Sequence, residues 1–351
     1  MEGKRLTAAR ESAVDLTKAA ATCAVLLIHC SANRFTLWDI GGGPWLANAF
    51  WSLIGRWAVP AFLLCSGALM NDPDRELPLE KLLGRYVLRL VAALSVWAAL
   101  YEGLRFLIGW GSASPLELAA GACRNWLTGG TFYHLYYFYF ALALYLALPL
   151  TRLIIRHAGE REVRYILVLW LFAGSVLPFL QYFPPVKWMG SSLLYYLLPA
   201  AFLCPGLGLL GWYLRRHPPK GWVLWAAVFA GSFAAVFLGV WRRSAAAGWL
   251  DGVYLDAFNP FILLMAVSVF RLAQYMTRDG RDAPRWAPFL SRASFCVYLV
   301  HPAFQLLARK AWFGALPPLW GVPAQAALLL VLSAGAYLVL RRVPWVSRWL
   351  I

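Results

Sequence analysis

Apolar runs long enough to cross a lipid bilayer recur along this chain from near residue 13 to residue 340. Hydrocarbon about 30 Å thick is spanned by a helix of roughly 20 apolar residues. The runs fall at about 13–31, 46–69, 84–109, 132–151, 165–181, 192–213, 221–240, 257–275, 291–309 and 322–340. They predict an all-α, polytopic integral membrane bundle of about ten transmembrane helices. A membrane β-barrel is excluded, because barrel strands alternate apolar and polar residues with period two and these runs do not. Only 14% of residues are charged against 61% hydrophobic, where a soluble domain carries about 25% charged.

The net charge of +16 would suit a nucleic-acid partner, but the positions of the charges argue against one. With the N-terminus in the cytoplasm, 23 of the 32 lysines and arginines fall on cytoplasmic segments and 7 on external loops. Arg56 and Arg105 lie within spans. This asymmetry is the positive-inside signature and predicts both termini in the cytoplasm. The basic excess is then mostly topology, with room for an anionic ligand reached from inside. The first run reads as a retained helix rather than a cleaved signal. Six cysteines without a C-x-x-C pair indicate neither a disulfide framework nor a zinc site, and no metal is expected. Without repeats or an appended soluble domain, residues 1–351 read as a single integral membrane domain.

Four features break the apolar pattern. In the first span, Asp15, Lys18, Thr22 and His29 interrupt SAVDLTKAAATCAVLLIHC. Lys18 and His29 are eleven residues apart, just over three turns, so they share one face with Asp15 and Thr22 close to it. Ionisable groups in a bilayer cost at least ~2.5–3.5 kcal/mol each, so the stripe must face protein or water. Asp15 could pair with Lys18 at i, i+3, with Lys18 snorkelling to the interface. His29 lies deeper. An imidazole that exchanges a proton near neutral pH points to acid–base chemistry, although an interhelical hydrogen bond would also explain it.

The second feature is Lys81, Arg85 and Arg89 in EKLLGRYVLRL. Arg85 and Arg89, four apart, share a helix face at the membrane entrance. They could anchor anionic headgroups or seat a phosphorylated ligand through bidentate guanidinium contacts. The third is the aromatic stretch TFYHLYYFYF with His134 at its start. Aromatic belts mark membrane interfaces, but a histidine there is less expected, and His134 and His29 could face one cavity. The fourth is the remaining intramembrane charge. Glu102 and Arg105 can satisfy each other at i, i+3. Arg56 has no local partner and needs one on another helix or a water-filled cavity.

These residues resemble the acyltransferase-3 family of integral membrane acyltransferases. That family's opening motif, an Asp, a basic residue and a His eleven positions later, is matched by Asp15, Lys18 and His29. Its Arg before Val-Pro-x-Phe and Ser-Gly is matched in RWAVPAFLLCSGAL by Arg56, Pro60, Phe62, Ser66 and Gly67. A basic pair, often R-x-x-R in the family, stands here as R-x-x-x-R with Arg85 and Arg89. YHLYYFYFALALYLALP carries Tyr136 where the family's His-Leu-Trp motif has Trp, and SRASFCVYLVHP resembles a closing motif with Ser294, Tyr298 and His301.

The resemblance implies a bacterial inner-membrane enzyme, an O-acetyltransferase in particular. Its acyl-CoA donor, acetyl-CoA above all, would come from the cytoplasm, and its acceptor would be a hydroxyl on a carbohydrate or cell-surface glycan. Lys18, Arg85 and Arg89 would hold coenzyme A phosphates, and His29 would act as general base or carry a transient acyl group. Arg56 or His134 would steady the oxyanion. A reading of another class is a transporter or flippase of an anionic or glycan substrate. It predicts an inverted internal repeat, and none is visible in the sequence.

Overall fold

A computed structural model describes residues 2–32, 34–107, 114–184, 186–189, 203–279, 281–308 and 316–351. Described regular structure is helical throughout. The helices are α1 (Glu2–Ala32), α2 (Gly43–Ile54), α3 (Ala58–Met70), α4 (Leu79–Leu107), α5 (Pro115–Thr128), α6 (Tyr136–His157), α7 (Glu160–Leu180), α8 (Leu203–Arg216), α9 (Val223–Ala247), α10 (Pro260–Met276), α11 (Trp286–Ala308) and α12 (Pro318–Leu340). A last short helix covers Pro344–Trp349.

Among the described residues, seven segments are long and apolar enough to cross a membrane, α2 and α3 together forming one of them. The chain is therefore a multi-pass helical bundle. α10 corresponds to the run 257–275 but has only 17 residues, and α11 covers the run 291–309 up to Ala308. Of the run 192–213, residues 192–202 lie outside the described residues, and α8 is its remainder; 108, 109 and 309 lie outside as well.

Burial sorts these segments into an inner and an outer layer. The most apolar stretches of Ser12–Leu37 and of Gly43–Met70 are each 67% buried by protein, against 17% for that of Val223–Ala247. α1 is central and packs against α2, α3, α10, α11 and α12. A helix so placed can carry a polar stripe without showing it to lipid. Its hydroxyls are absorbed locally, since Thr17 and Thr22 each donate to the carbonyl four residues back at 2.8 Å.

The run 46–69 is broken rather than continuous. α2 ends at Ile54, Gly55–Trp57 form a turn, and α3 starts at Ala58. Turn hydrogen bonds from Arg56 N–H to Leu53 O (3.2 Å) and from Ala58 N–H to Gly55 O (3.0 Å) satisfy the interrupted backbone. Gly55 permits the break to sit against α1, because a Cβ there would lie 2.5 Å from the Ala24 carbonyl oxygen. At the other end of α3, Cys65 faces Val14, its thiol 3.9 Å from the Val14 carbonyl. α3 therefore runs antiparallel to α1, with Gly55 at the level of Ala24 and Ile28 and Cys65 at that of Val14.

α4 contains a π-turn at Leu82–Val87. A π-turn inserts one residue and shifts the helix face that follows. Arg85 and Arg89 consequently do not present as the simple i, i+4 pair expected above. α5 is a helix in the segment between the apolar runs 84–109 and 132–151. Ser114 and Glu117 form a capping box, and Gly129 ends the helix at φ +75°. Asn125 of α5 donates to Glu102 at 3.3 Å, and Arg105 reaches the same carboxylate at 3.4 Å, so that pair is joined as expected.

Several basic residues counted in the charge asymmetry serve the fold directly. Arg152 donates to the carbonyls of Met70 (2.7 Å) and Asp72 (2.8 Å) at the end of α3. Arg215 donates to Ala68 O at 2.9 Å and pairs with Asp72 at 3.0 Å. Arg271 donates to Leu214 O at 3.1 Å near the end of α8. Each closes carbonyls that a helix C-terminus leaves unsatisfied, where the helix dipole also favours a cation.

Candidate active site

A cavity of about 510 Å³ lies between α1, α3, α4, α6, α11 and the α9–α10 loop. Lys18, His29, Arg56, Arg89 and His134 all line it. Five of the six residues expected from the sequence are therefore brought to one space. Arg85 is the exception: it is exposed and sits with its guanidinium 5.9 Å from the Tyr86 ring.

The two ends of the cavity differ in chemistry. One end holds Lys18 from α1, Arg89 and Tyr86 from α4, Ser66 from α3, Tyr145 from α6 and Ser294 from α11. Among the described residues no ion pair joins Lys18 to Asp15. Lys18 thus keeps an ammonium free for the cavity. Arg89 donates to the Ile351 carbonyl and lies 5.8 Å from the Phe295 ring, while its Nε has no partner. The other end holds Arg56, Tyr136, Phe140 and residues 255–258. Arg56 sits on the helix break. Its Nη1 makes a long contact of 3.4 Å to Leu255 O, and its buried Nε is unpartnered. The partner it required is thus a loop carbonyl plus the cavity itself.

Between the ends, three histidines gather. The His29 and His301 rings stack at 5.0 Å and 28°, and His134 meets His301 edge-on at 5.6 Å. His29 lines the cavity and is half-buried, whereas His301 is fully buried behind it. His301 Nδ1 lies 3.0 Å from Val297 O, and its Nε2 has no partner. Tyr298 donates to the His134 carbonyl and Gln305 to the His29 carbonyl, the latter at 2.7 Å. These contacts fix the backbone under both histidines and leave the His29 ring to the cavity. Among the described residues no three His, Cys, Asp or Glu side chains converge as metal ligands.

The aromatic stretch after Thr131 faces inward rather than forming only an interface belt. Tyr133 packs on His29 at 5.1 Å, while Tyr136, Tyr137 and Phe140 line the cavity. Sequence reasoning missed these as site residues, because an aromatic run at a span end carries no sign of which side faces lipid. It also missed Asp256, the one carboxylate lining the cavity among the described residues.

A membrane bundle enclosing a cavity lined by cations, imidazoles and tyrosines defines a protein with polar, ionisable chemistry gathered inside its membrane-spanning helices. A family model described as an acyltransferase domain of the acyltransferase-3 type matches residues 11–342. The chain belongs to that family and is a multi-pass membrane acyltransferase. No curated protein and no solved structure matches it.

Proposed function

We propose that the protein is a membrane O-acyltransferase, an O-acetyltransferase in particular, that moves an acyl group from acyl-CoA to a hydroxyl of a carbohydrate or glycan acceptor. The observation that carries this reading is the single cavity joining Lys18 and Arg89 at one end, His29 at its middle and Arg56 at the other end. The proposed setting is a bacterial inner membrane crossed ten times, with both termini and the basic end cytoplasmic. Lys18 and Arg89 then receive coenzyme A phosphates, with Arg85 outside the cavity as an outer contact. Eleven residues of α1 place His29 about 16 Å beyond Lys18, a useful fraction of an extended pantetheine arm.

His29 removes the acceptor hydroxyl proton as that oxygen attacks the thioester carbonyl carbon. The carbon–sulfur bond breaks, and the departing thiolate takes the proton back from the imidazolium, leaving an ester and free coenzyme A. An acyl-histidine on His29 is the two-step variant. Arg56 or His134 donates to the oxyanion; the unpartnered Arg56 Nε and the unpartnered ring nitrogens of His134 leave either one available for it.

The test uses detergent-purified protein with radiolabelled acetyl-CoA and glycoside acceptors. Acyl transfer is expected in the wild type, and His29→Ala should lower it by about 10²–10⁴-fold. Full activity in His29→Ala would remove His29 from the mechanism.

A further inference from the structure

Resting on the acyl-transfer reading, we propose that Asp256 orients the acceptor, and that the acceptor reaches it as an uncharged polyol presenting adjacent hydroxyls. Asp256 lies at the end of the cavity opposite Lys18 and Arg89, beside Leu255, whose carbonyl meets Arg56. The carboxylate is held in place: one oxygen accepts the Phe258 N–H at 2.7 Å. The other oxygen has no protein partner among the described residues and remains open to the exposed mouth.

The loop carrying Asp256 is braced along its length. Arg243 and Asp251 form a two-point ion pair with both contacts at 3.0 Å, and Asp251 also accepts the Val253 N–H at 3.0 Å. Arg243 beside it holds the Asp251 carboxyl below its ordinary range. Further on, Ser175 donates to Phe258 O at 2.5 Å, and Asn259 caps α10 by accepting the Phe261 N–H at 2.9 Å. A fixed carboxylate on a braced loop is suited to selection, because little ordering remains to be done on binding.

The walls of this mouth are aromatic. Tyr136 and Phe140 meet edge to face at 5.5 Å, and Phe140 and Phe258 at 5.2 Å. Ring faces accept the C–H surface of a cyclic polyol, while a carboxylate accepts its hydroxyls, two from neighbouring carbons at once. An acceptor bearing its own carboxylate or phosphate would meet like charge at Asp256. Arg56 offsets this only partly, since one of its amino groups is already directed at Leu255 O.

The experiment measures transfer from radiolabelled acetyl-CoA to methyl glycosides in detergent. Neutral acceptors are methyl glucoside, galactoside and mannoside; anionic ones are methyl glucuronide and galacturonide. The wild type should favour the neutral set. Asp256→Asn should raise the KM for the best neutral acceptor about tenfold, as loss of a charge-assisted bond would. It should leave kcat and calorimetric coenzyme A affinity within twofold, which also reports an intact fold. Asp256→Lys should invert the preference toward the anionic set. Wild-type preference for uronides, or an unchanged KM and preference in Asp256→Asn, would overturn the assignment of Asp256 alone. Absence of acetyl-CoA consumption by the wild type with every acceptor would overturn the acyl-transfer reading, and the proposal with it.

Discussion

Two arginines one turn apart in the sequence, Arg85 and Arg89, have different surroundings in the structure. Arg89 lines the cavity, and Arg85 is exposed beside Tyr86. Arg89→Ala should therefore weaken coenzyme A binding by roughly 1.5–3 kcal/mol, the worth of a hydrogen bond to a charged group. Arg85→Ala should cost under about 1 kcal/mol, as for a solvent-screened charge. Calorimetry on both variants checks the difference, and equal losses would place both guanidiniums on the ligand. Most of the candidate site was legible at this scale, since an ionisable residue in an apolar run advertises itself. His29, Arg56 and Lys18 were found that way. Asp256 was not, because it sits in a polar loop where a carboxylate is unremarkable. The position of His301 was equally hidden: a ring stacked behind His29 is known only from helix packing.

At the scale of elements, the apolar runs gave good notice of helices but not of their interruptions. Length and hydropathy report where a chain can cross lipid. They do not record hydrogen-bond register, so the π-turn at Leu82–Val87 left no mark in composition. The break at Gly55–Trp57 was hidden for the same reason, inside a run that reads as continuous. That break depends on close approach to α1. Gly55→Ala would set a Cβ against backbone at Ala24, which cannot swing aside as a flexible side chain can. It should destabilise the protein by about 1–3 kcal/mol, the usual cost of overpacking, and reduce transfer by displacing Arg56. Gly43→Ala, where nothing lies within 4 Å, is the control. Thermal unfolding in detergent with parallel rate measurements separates the two effects, and a Gly55→Ala protein indistinguishable from the control would show that α1 yields at this contact.

For the molecule as a whole, the distribution of lysine and arginine predicts which surface faces which solvent. Arg156, Arg216 and Arg281 should be cytoplasmic, and Leu37, Glu117 and Trp249 external; all six are exposed. Single cysteines at these positions, in a background lacking the six native ones, should be labelled by an impermeant thiol reagent on intact cells only at the external three. Labelling at position 281 before lysis would overturn the topology and detach the basic end of the cavity from the cytoplasm. Part of the charge bias was legible for a reason other than topology, because Arg152, Arg215 and Arg271 close helix ends. The cavity between those surfaces has a bearing on membrane energetics. A wetted passage through a bilayer invites a leak, and one elementary charge crossing 100 mV releases about 2.3 kcal/mol. Lys18, Arg56 and Arg89 outnumber Asp256 among the side chains lining the cavity, and a net positive lining would repel hydronium and sodium. The cations suited to holding a donor's phosphates would thereby also keep the electrochemical gradient from draining through the enzyme between turnovers.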